Sequence, residues 1–399
     1  MQQTVSKRVN ALAASQTLAM SQKSSELRSQ GIDVINLSVG EPDFNTPEHI
    51  KRAAVKAIED NFSFYTPVPG YLSLRKAVSE KLRRENGVDF APEQIVVGCG
   101  AKHALSNVIM ATVNPGDEVL IPVPAWVSYM EMVKLAEGVP VTVSTGLEQD
   151  FKITPAQLRE AITPRTRALL LCSPSNPTGS VYSREELKAL VDVLVDFPDV
   201  LVISDEIYEH INYTGVPYTS MASFPELEGR VAVINGVSKA YAMTGWRIGY
   251  CALPLHLAKA VTKLQGQMTS GVSSIAQKAA EAAYTGSQEC VEEMRQAFER
   301  RRNLVVELAG KIPGLRISEP QGAFYLFPDV THYLGKRFGE KTIATDSDLA
   351  LYLLEEAHVA TVAGSAFCAP GYIRLSYATS DDRLREAFAR IATALAALK

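Results

Sequence analysis

Between about residues 95 and 255 the chain alternates short apolar runs with longer amphipathic stretches. The runs cover 95–98, 118–121, 139–144, 168–172, 201–204, 231–235 and 248–253 and are rich in Val, Ile and Leu. Several are apolar on both faces, as a strand is when layers cover it on either side. Helical spacing fills stretches such as 101–113, 154–162 and 184–195. This alternation predicts an α/β fold with a large, mostly parallel sheet. From 255 to 308 helix dominates, and the Glu/Arg-rich stretch 289–302 reads as a long solvated helix. Beyond 308 the character changes. Extended runs at 315–318, 323–327, 359–362 and 372–377 mix with helices at 347–357 and 381–397, which predicts a smaller α+β domain.

Composition narrows the classes. The 399 residues suggest two domains, or one large domain with a small one attached. Forty Lys and Arg against 44 Asp and Glu give a net charge of -4, without the cationic surplus that phosphate contacts require. At 46% hydrophobic and 21% charged residues the chain is not a disordered one. The start, MQQTVSKRVNALAAS, holds no apolar core of a secretory signal, and no apolar run is long enough to span a membrane. Five scattered cysteines (Cys99, Cys172, Cys251, Cys290 and Cys368) suit a reducing compartment rather than a disulfide framework. No CxxC or HExxH is present, so no metal site is expected. The expectation is a cytoplasmic protein that binds neither nucleic acid nor membrane.

The chemistry gathers at the ends of the apolar runs. The richest segment is SKAYAMTGWRIG at 238–249. Lys239 follows an extended run among apolar and small residues, and burial lowers an ammonium pKa toward that of an amine able to attack a carbonyl. Ser238 and Arg247 could hold a phosphate; the plainer reading is a solvated Lys with a surface Arg. Asp205, in VISDEIY, ends another run at the carboxyl edge where parallel sheets bind ligands, or else caps the next helix. SPSNPTG at 173–179 is a rigid turn presenting Asn176, or an ordinary loop. GCGAKH at 98–103 fits neither a P-loop nor a dinucleotide fingerprint, yet Gly100, Ala101 and Lys102 sit where a helix N-terminus offers free N–H groups to a phosphate. Trp126 follows the next run and could stack on a flat ring or fill the core. An anion cradle, a flat platform, an amide, a carboxylate with Tyr208 three residues on, a lysine and an arginine together suit a phosphorylated pyridine aldehyde.

These segments, with GEPDF at 40–44 and YIRLSYA at 372–378, resemble the class I pyridoxal-phosphate (PLP) aminotransferases of fold type I. The similarity runs from about Val9 to the C-terminus and is closest to the bacterial aspartate aminotransferase branch that includes aspartate/prephenate aminotransferases. The resemblance implies a PLP-dependent transfer of the amino group of L-aspartate to 2-oxoglutarate by a ping-pong cycle. It implies that Lys239 bonds covalently to PLP and shuttles a proton, and that Asp205 pairs with the ring nitrogen. Such charges attract by about 4 kcal/mol at ~4 Å and an effective dielectric near 20. Asn176 and Tyr208 would bond the ring 3′-oxygen, and Trp126 would stack on the ring. Gly100, Ala101, Lys102, Ser238 and Arg247 would surround the phosphate. Arg374 would clamp the substrate α-carboxylate beside Gly40. Tyr65 would reach the phosphate in a neighbouring subunit, which requires a homodimer with shared sites.

The resemblance also implies a large domain at 49–289 and a small one from 1–48 with 290–399, the N-terminal arm packing on a partner or closing over the site. Animal-type members bind the distal carboxylate with an Arg from the partner, but Gln265–Ser270 contains none. In the closer branch a lysine beside the phosphate loop takes that part, and Lys102 stands there. Ala13 occupies the place where members accepting prephenate carry a Lys, which weighs against prephenate. A broader aromatic, alanine or prephenate aminotransferase, or a β-lyase, would share these motifs. A non-enzymatic PLP-binding regulatory domain would need a DNA-binding domain, and the roughly 90 residues before the first run show no basic helix-turn-helix pattern.

Overall fold

The computed structural model describes residues 5–13 and 16–399. All seven apolar runs of the first half are strands of one sheet: β1 (Ile95–Gly98), β2 (Glu118–Val123), β3 (Val139–Ser144), β4 (Thr166–Cys172), β5 (Leu201–Asp205), β6 (Val231–Gly236) and β7 (Gly249–Ala252). Their spatial order is β1-β7-β6-β5-β4-β2-β3. Pairs from β6 across to β3 are parallel, whereas β7 runs antiparallel to both neighbours. The other six strands therefore point the same way, and the loops after β1, β2, β4, β5 and β6 emerge at one edge.

Two-sided burial explains the continuous runs. Every residue of β5 and β6 is buried. Leu169, Leu171, Val202 and Val233 enter the core on one face, while Ala168, Leu170, Ile203 and Ile234 enter the core on the other. Helices close the two layers. Thr154 and Ser183 start two of them through capping boxes with Gln157 and Glu186, each cap contributing about 1 kcal/mol.

A separate core joins Ile35, Leu37, Phe324, Leu353, Leu375 and Leu395, and takes in Ile207, Tyr208 and Ile211 from the segment after β5. The second packing unit thus sits against the carboxyl edge of the sheet. Helix Glu289–Gly310 links the two: Val291 lies in the sheet core, Phe298, Leu304 and Val305 in the other. It runs past its expected end at 302, and it is not solvated throughout. Arg301 and Arg302 are buried, paired with Asp43 at 2.7 Å and Glu319 at 2.9 Å. Run 315–318 forms only an isolated bridge from Arg316 to Asp329. Run 359–362 splits at Thr361. Val359–Ala360 pairs in parallel with Ile35–Asn36, while Val362–Ala363 pairs antiparallel with Ile373–Ser376. An apolar run reports extended, covered backbone but not which partner it takes. Among the described residues no helix is long and apolar enough to cross a membrane.

Candidate active site

A cavity of about 490 Å³ opens at the carboxyl edge of the sheet. Its walls include Gly40, Ala101, Lys102, Trp126, Asn176, Asp205, Tyr208, Ser238, Lys239, Arg247 and Arg374. Of the sequence-derived candidates only Gly100 and Tyr65 are missing from that wall. Gly100 lies directly behind it: at φ 82° it caps helix Ala101–Thr112, and a Cβ there would come within 2.3 Å of the Arg247 guanidinium. Tyr65 stands apart, its side chain wholly exposed.

The loop after β6 carries the amine. Lys239 Nζ donates to the Gly40 carbonyl at 2.6 Å. Burial, only partly opposed by Glu41, pushes its pKa down to about 8, so the neutral amine is accessible near neutral pH. Gly40 has no room for a side chain, because a Cβ would lie 2.4 Å from Tyr325 Oη. Asp205 is the last residue of β5 and is buried. Tyr129 Oη donates to its Oδ2 at 2.7 Å and Ile207 N to its Oδ1 at 3.2 Å. Burial raises its pKa, with those hydrogen bonds opposing the shift. A carboxylate facing a cavity without an ion pair of its own is suited to a cationic ring.

The remaining walls complete two anion sites. Helix Ala101–Thr112 begins at the cavity, next to Ser238 and Arg247; His103 N and Ala104 N donate to the Gly100 carbonyl, while the N–H groups of Ala101 and Lys102 have no acceptor among the described residues. Arg247 is fixed by donation to the carbonyls of Thr244 at 2.8 Å and Cys99 at 3.2 Å. On the other side Arg374, from strand Ile373–Ser376, is 2% exposed. It donates to Asn176 Oδ1 at 3.0 Å and to the Ser38 carbonyl at 2.6 Å, and its buried Nε has no partner. Its guanidinium lies 4.6 Å from the Tyr325 ring centre, and burial lowers its pKa. Lys102 Nζ stands 4.8 Å over the Trp126 ring, its pKa lowered by burial and then by Arg247. The fit to a planar, phosphorylated, ring-protonated group is good on these grounds: a phosphate cradle, an unpaired buried carboxylate, an aromatic wall and an amine.

Two tyrosines escaped the sequence reading. Tyr129 sits three residues after Trp126 on helix Ser128–Leu135, and that helical spacing was the available signal. Tyr325 bonds Tyr208 Oη at 2.8 Å and supports Arg374, but nothing in GAFYLF sets it apart from core. The Gln265–Ser270 segment does not line the cavity; Gln265 is spent on the carbonyls of Val68 and Val97, both at 2.9 Å. In the N-terminal arm, Ala13 N donates to Glu131 Oε2 at 2.8 Å and Arg8 lies 3.5 Å from Glu137, so residues 7–13 run along the helix after Trp126. Ala14 and Ser15 lie outside the described residues.

Known proteins agree with this geometry. The chain is 48% identical over 394 residues to an aspartate/prephenate aminotransferase of Nitrosomonas europaea, covering 98% of this chain and 99% of that protein. It is 51% identical over 389 residues to an aspartate aminotransferase of Geobacillus stearothermophilus, covering 97% and 98%. The crystal structure of an aspartate aminotransferase from Rhizobium meliloti superposes with a TM-score of 0.96 at 45% identity, each chain fully covered. That of the Thermus thermophilus aspartate aminotransferase with maleate gives 0.91 at 43%, covering 98% and 100%. Residues 32–391 match the family described as aminotransferase class I and II, and the chain belongs to that family of PLP-dependent enzymes.

Proposed function

We propose that this aminotransferase moves the amino group of L-aspartate to 2-oxoglutarate, each carbon skeleton occupying the same cavity in turn. The observation that carries this is that, beyond Lys239 and the Arg247 of the phosphate cradle, the cavity wall carries two further cationic side chains, Arg374 and Lys102. Two cations suit a substrate with two carboxylates. The names of the relatives support the same reading.

When bound, PLP supplies the electron sink that makes the substrate Cα–H acidic. Lys239 Nζ would hold the cofactor and, as a free amine, would be the group on this wall that takes up and returns the Cα proton. Asp205 keeps the ring nitrogen protonated. Tyr129, donating to Oδ2, and Ile207 N, donating to Oδ1, fix the carboxylate on the cavity wall. Asn176 and Tyr208 would hydrogen-bond the ring 3′-oxygen, and Trp126 would stack on the ring. Gly100, Ala101, Ser238 and Arg247 cradle the phosphate. Arg374 binds the α-carboxylate beside Gly40, with the free Nε available for a second bond. Lys102 meets the distal carboxylate. A flexible ammonium reaches either the β- or the γ-carboxylate, which suits aspartate and glutamate alike.

The test is a half-reaction screen of the PLP-loaded enzyme against single amino acids, run in parallel on Lys102→Ala. The parent converts aspartate and glutamate fastest. Losing one charge-assisted contact in a partly desolvated site costs roughly 2–4 kcal/mol, about 30- to 1000-fold in kcat/KM for aspartate. Alanine and phenylalanine should lose far less, and PLP affinity should hold. An equal loss for every donor, or loss of PLP, assigns Lys102 to the cofactor instead. Prephenate, a 2-oxo acid, is assayed in the second half-reaction, as amino acceptor from the aminated enzyme, because relatives bear that name; Ala13 offers it no charge, and slow conversion is expected.

The catalytic unit is a homodimer built from a large domain at 49–289 and a small one from 1–48 with 290–399. Separate hydrophobic cores support the division. Phe64 at 82% and Tyr65 at 101% exposure, with Val55, Ile58, Leu72 and Met268 also exposed, support a face covered by a second copy. In that assembly Tyr65 completes the partner's phosphate site. Mixing Lys239→Ala chains with Tyr65→Ala chains should then restore activity, since a hybrid holds one intact site. Mixtures no better than the sum of the two variants rule the sharing out.

A further inference from the structure

Outside the cavity, next to the turn that carries Asp205 and Tyr208, lies a buried polar cluster that the chemistry above does not use. Lys81, Asn86, Glu206, Glu209 and Asn235 are each at most 9% exposed. The Glu209 carboxylate accepts from Asn235 Nδ2 at 2.6 Å, from Asn86 Nδ2 at 2.6 Å and from the Lys81 ammonium. Lys81 also donates to Asn86 Oδ1 at 2.8 Å and lies 3.5 Å from Glu85. Lys81 and Asn86 share one side because helix Leu72–Lys81 runs on into a π-turn over Leu82–Asn86, closed by Gly87 at φ 65°. The Asn235 amide is oriented by Gly236 N, which donates to its Oδ1 at 2.7 Å, so Nδ2 faces Glu209. Burial, then the neighbouring Glu209, push the Glu206 carboxyl up to about 8. Glu206 thus adds little negative charge near neutrality, and Lys81 balances Glu209. Glu85, Glu209 and His210 hold ligand atoms within 4.8 Å of one another, but the cation facing the carboxylates is Lys81.

The connections matter more than the charges. Glu209 directly follows Tyr208, and Asn235 on β6 precedes Lys239 by four positions. The main chain of the turn after β5 meets β6 at Glu206 N, which donates to Ile234 O; Glu209 N and Ile211 N bond within the turn, to Glu206 O and Tyr208 O, and its other contacts run elsewhere, from Ala323 N to Ile211 O, from Ser220 Oγ to Glu206 Oε1 and between Tyr208 and Tyr325. The Glu209–Asn235 bond ties this turn to the strand leading to Lys239. A buried ion pair contributes little net stability over apolar residues of the same volume, so holding a position is the better account of its presence. We propose that Glu209, with Lys81 as counter-ion and Asn235 as its partner on β6, is a positioning residue that fixes the Asp205–Tyr208 turn against the segment carrying Lys239.

The proposal rests on the roles assigned above to Asp205, Tyr208 and Lys239, and the parent enzyme in the same assay tests those separately. In PLP-loaded Asn235→Ala the Lys81–Glu209 pair stays matched. We expect kcat for aspartate to fall about 10- to 100-fold with KM changed less than about threefold, and the pH titration of the Lys239-bound cofactor's visible absorbance to shift. Two charge-neutral doubles separate position from charge. Lys81→Met with Glu209→Gln keeps an acceptor for Asn235 and should stay within about threefold of the parent, whereas Lys81→Met with Glu209→Leu should lose what Asn235→Ala loses. Parent-like kcat and titration in Asn235→Ala overturn the proposal, as does an equal loss in both doubles. If Asn235→Ala and the Leu double fail to fold while the Gln double folds, the bond serves stability alone and the proposal fails. A parent without aspartate turnover overturns the functional reading instead.

Discussion

Lys239→Ala should abolish transamination, with kcat at least about 10⁴-fold below the parent, while the chain still folds and takes up PLP without a covalent bond. The Nζ atom has two tasks, holding the cofactor and moving the Cα proton, and no neighbour replaces it. Lys102 is the next ammonium on the cavity wall, and its nitrogen lies over the Trp126 ring rather than at Gly40. Folding should survive because removing a buried ammonium whose pKa is already pushed down to about 8 relieves desolvation as much as it deletes a hydrogen bond. Borohydride treatment followed by mass measurement provides the chemical check. The parent should gain the cofactor's mass irreversibly and the variant should not. Turnover within tenfold of the parent would remove Lys239 from the reaction.

Asp205→Asn should lower kcat roughly a thousandfold or more with little change in KM. An amide is nearly the same size and can still accept from Tyr129 Oη or Ile207 N, so the local packing stays. What it cannot do is hold a proton on the ring nitrogen by charge. Stability should move the other way. Burial raises the folded-state pKa of Asp205, so at neutral pH folding works against its ionisation. That cost is absent below the unfolded-state pKa, where the carboxyl is neutral in both states, and grows as pH rises toward the folded value. The cofactor-free Asp205→Asn variant should therefore melt no lower than the parent at pH 7, and the two should converge in acid. A near-parent rate would show that Asp205 serves only to cap the turn after β5.

The sheet and most of the site were legible because both leave local marks. A strand covered on both faces must be apolar along its length, and six of the seven runs from 95 to 253 obeyed this whether the strand proved parallel or, like β7, antiparallel; the edge strand β3 is largely exposed. Loops leaving a parallel sheet at one edge converge, so SPSNPTG, SDEIYE and SKAYAMTGWRIG could be assigned to one cavity without knowing the strand order. Tertiary structure alone decided what crosses between distant segments. The Arg374–Asn176 bond joins residues 198 positions apart, and Tyr325 reaches Gly40, Tyr208 and Arg374 from a strand that reads as ordinary core. The Lys81–Glu209–Asn235 cluster likewise depends on a π-turn that a regular helical period does not foresee. Periodicity records whether a side chain is covered, because burial acts on each residue alone. It carries no record of what does the covering, since a hydrogen bond or an ion pair is fixed by two positions at once and by the fold that brings them together.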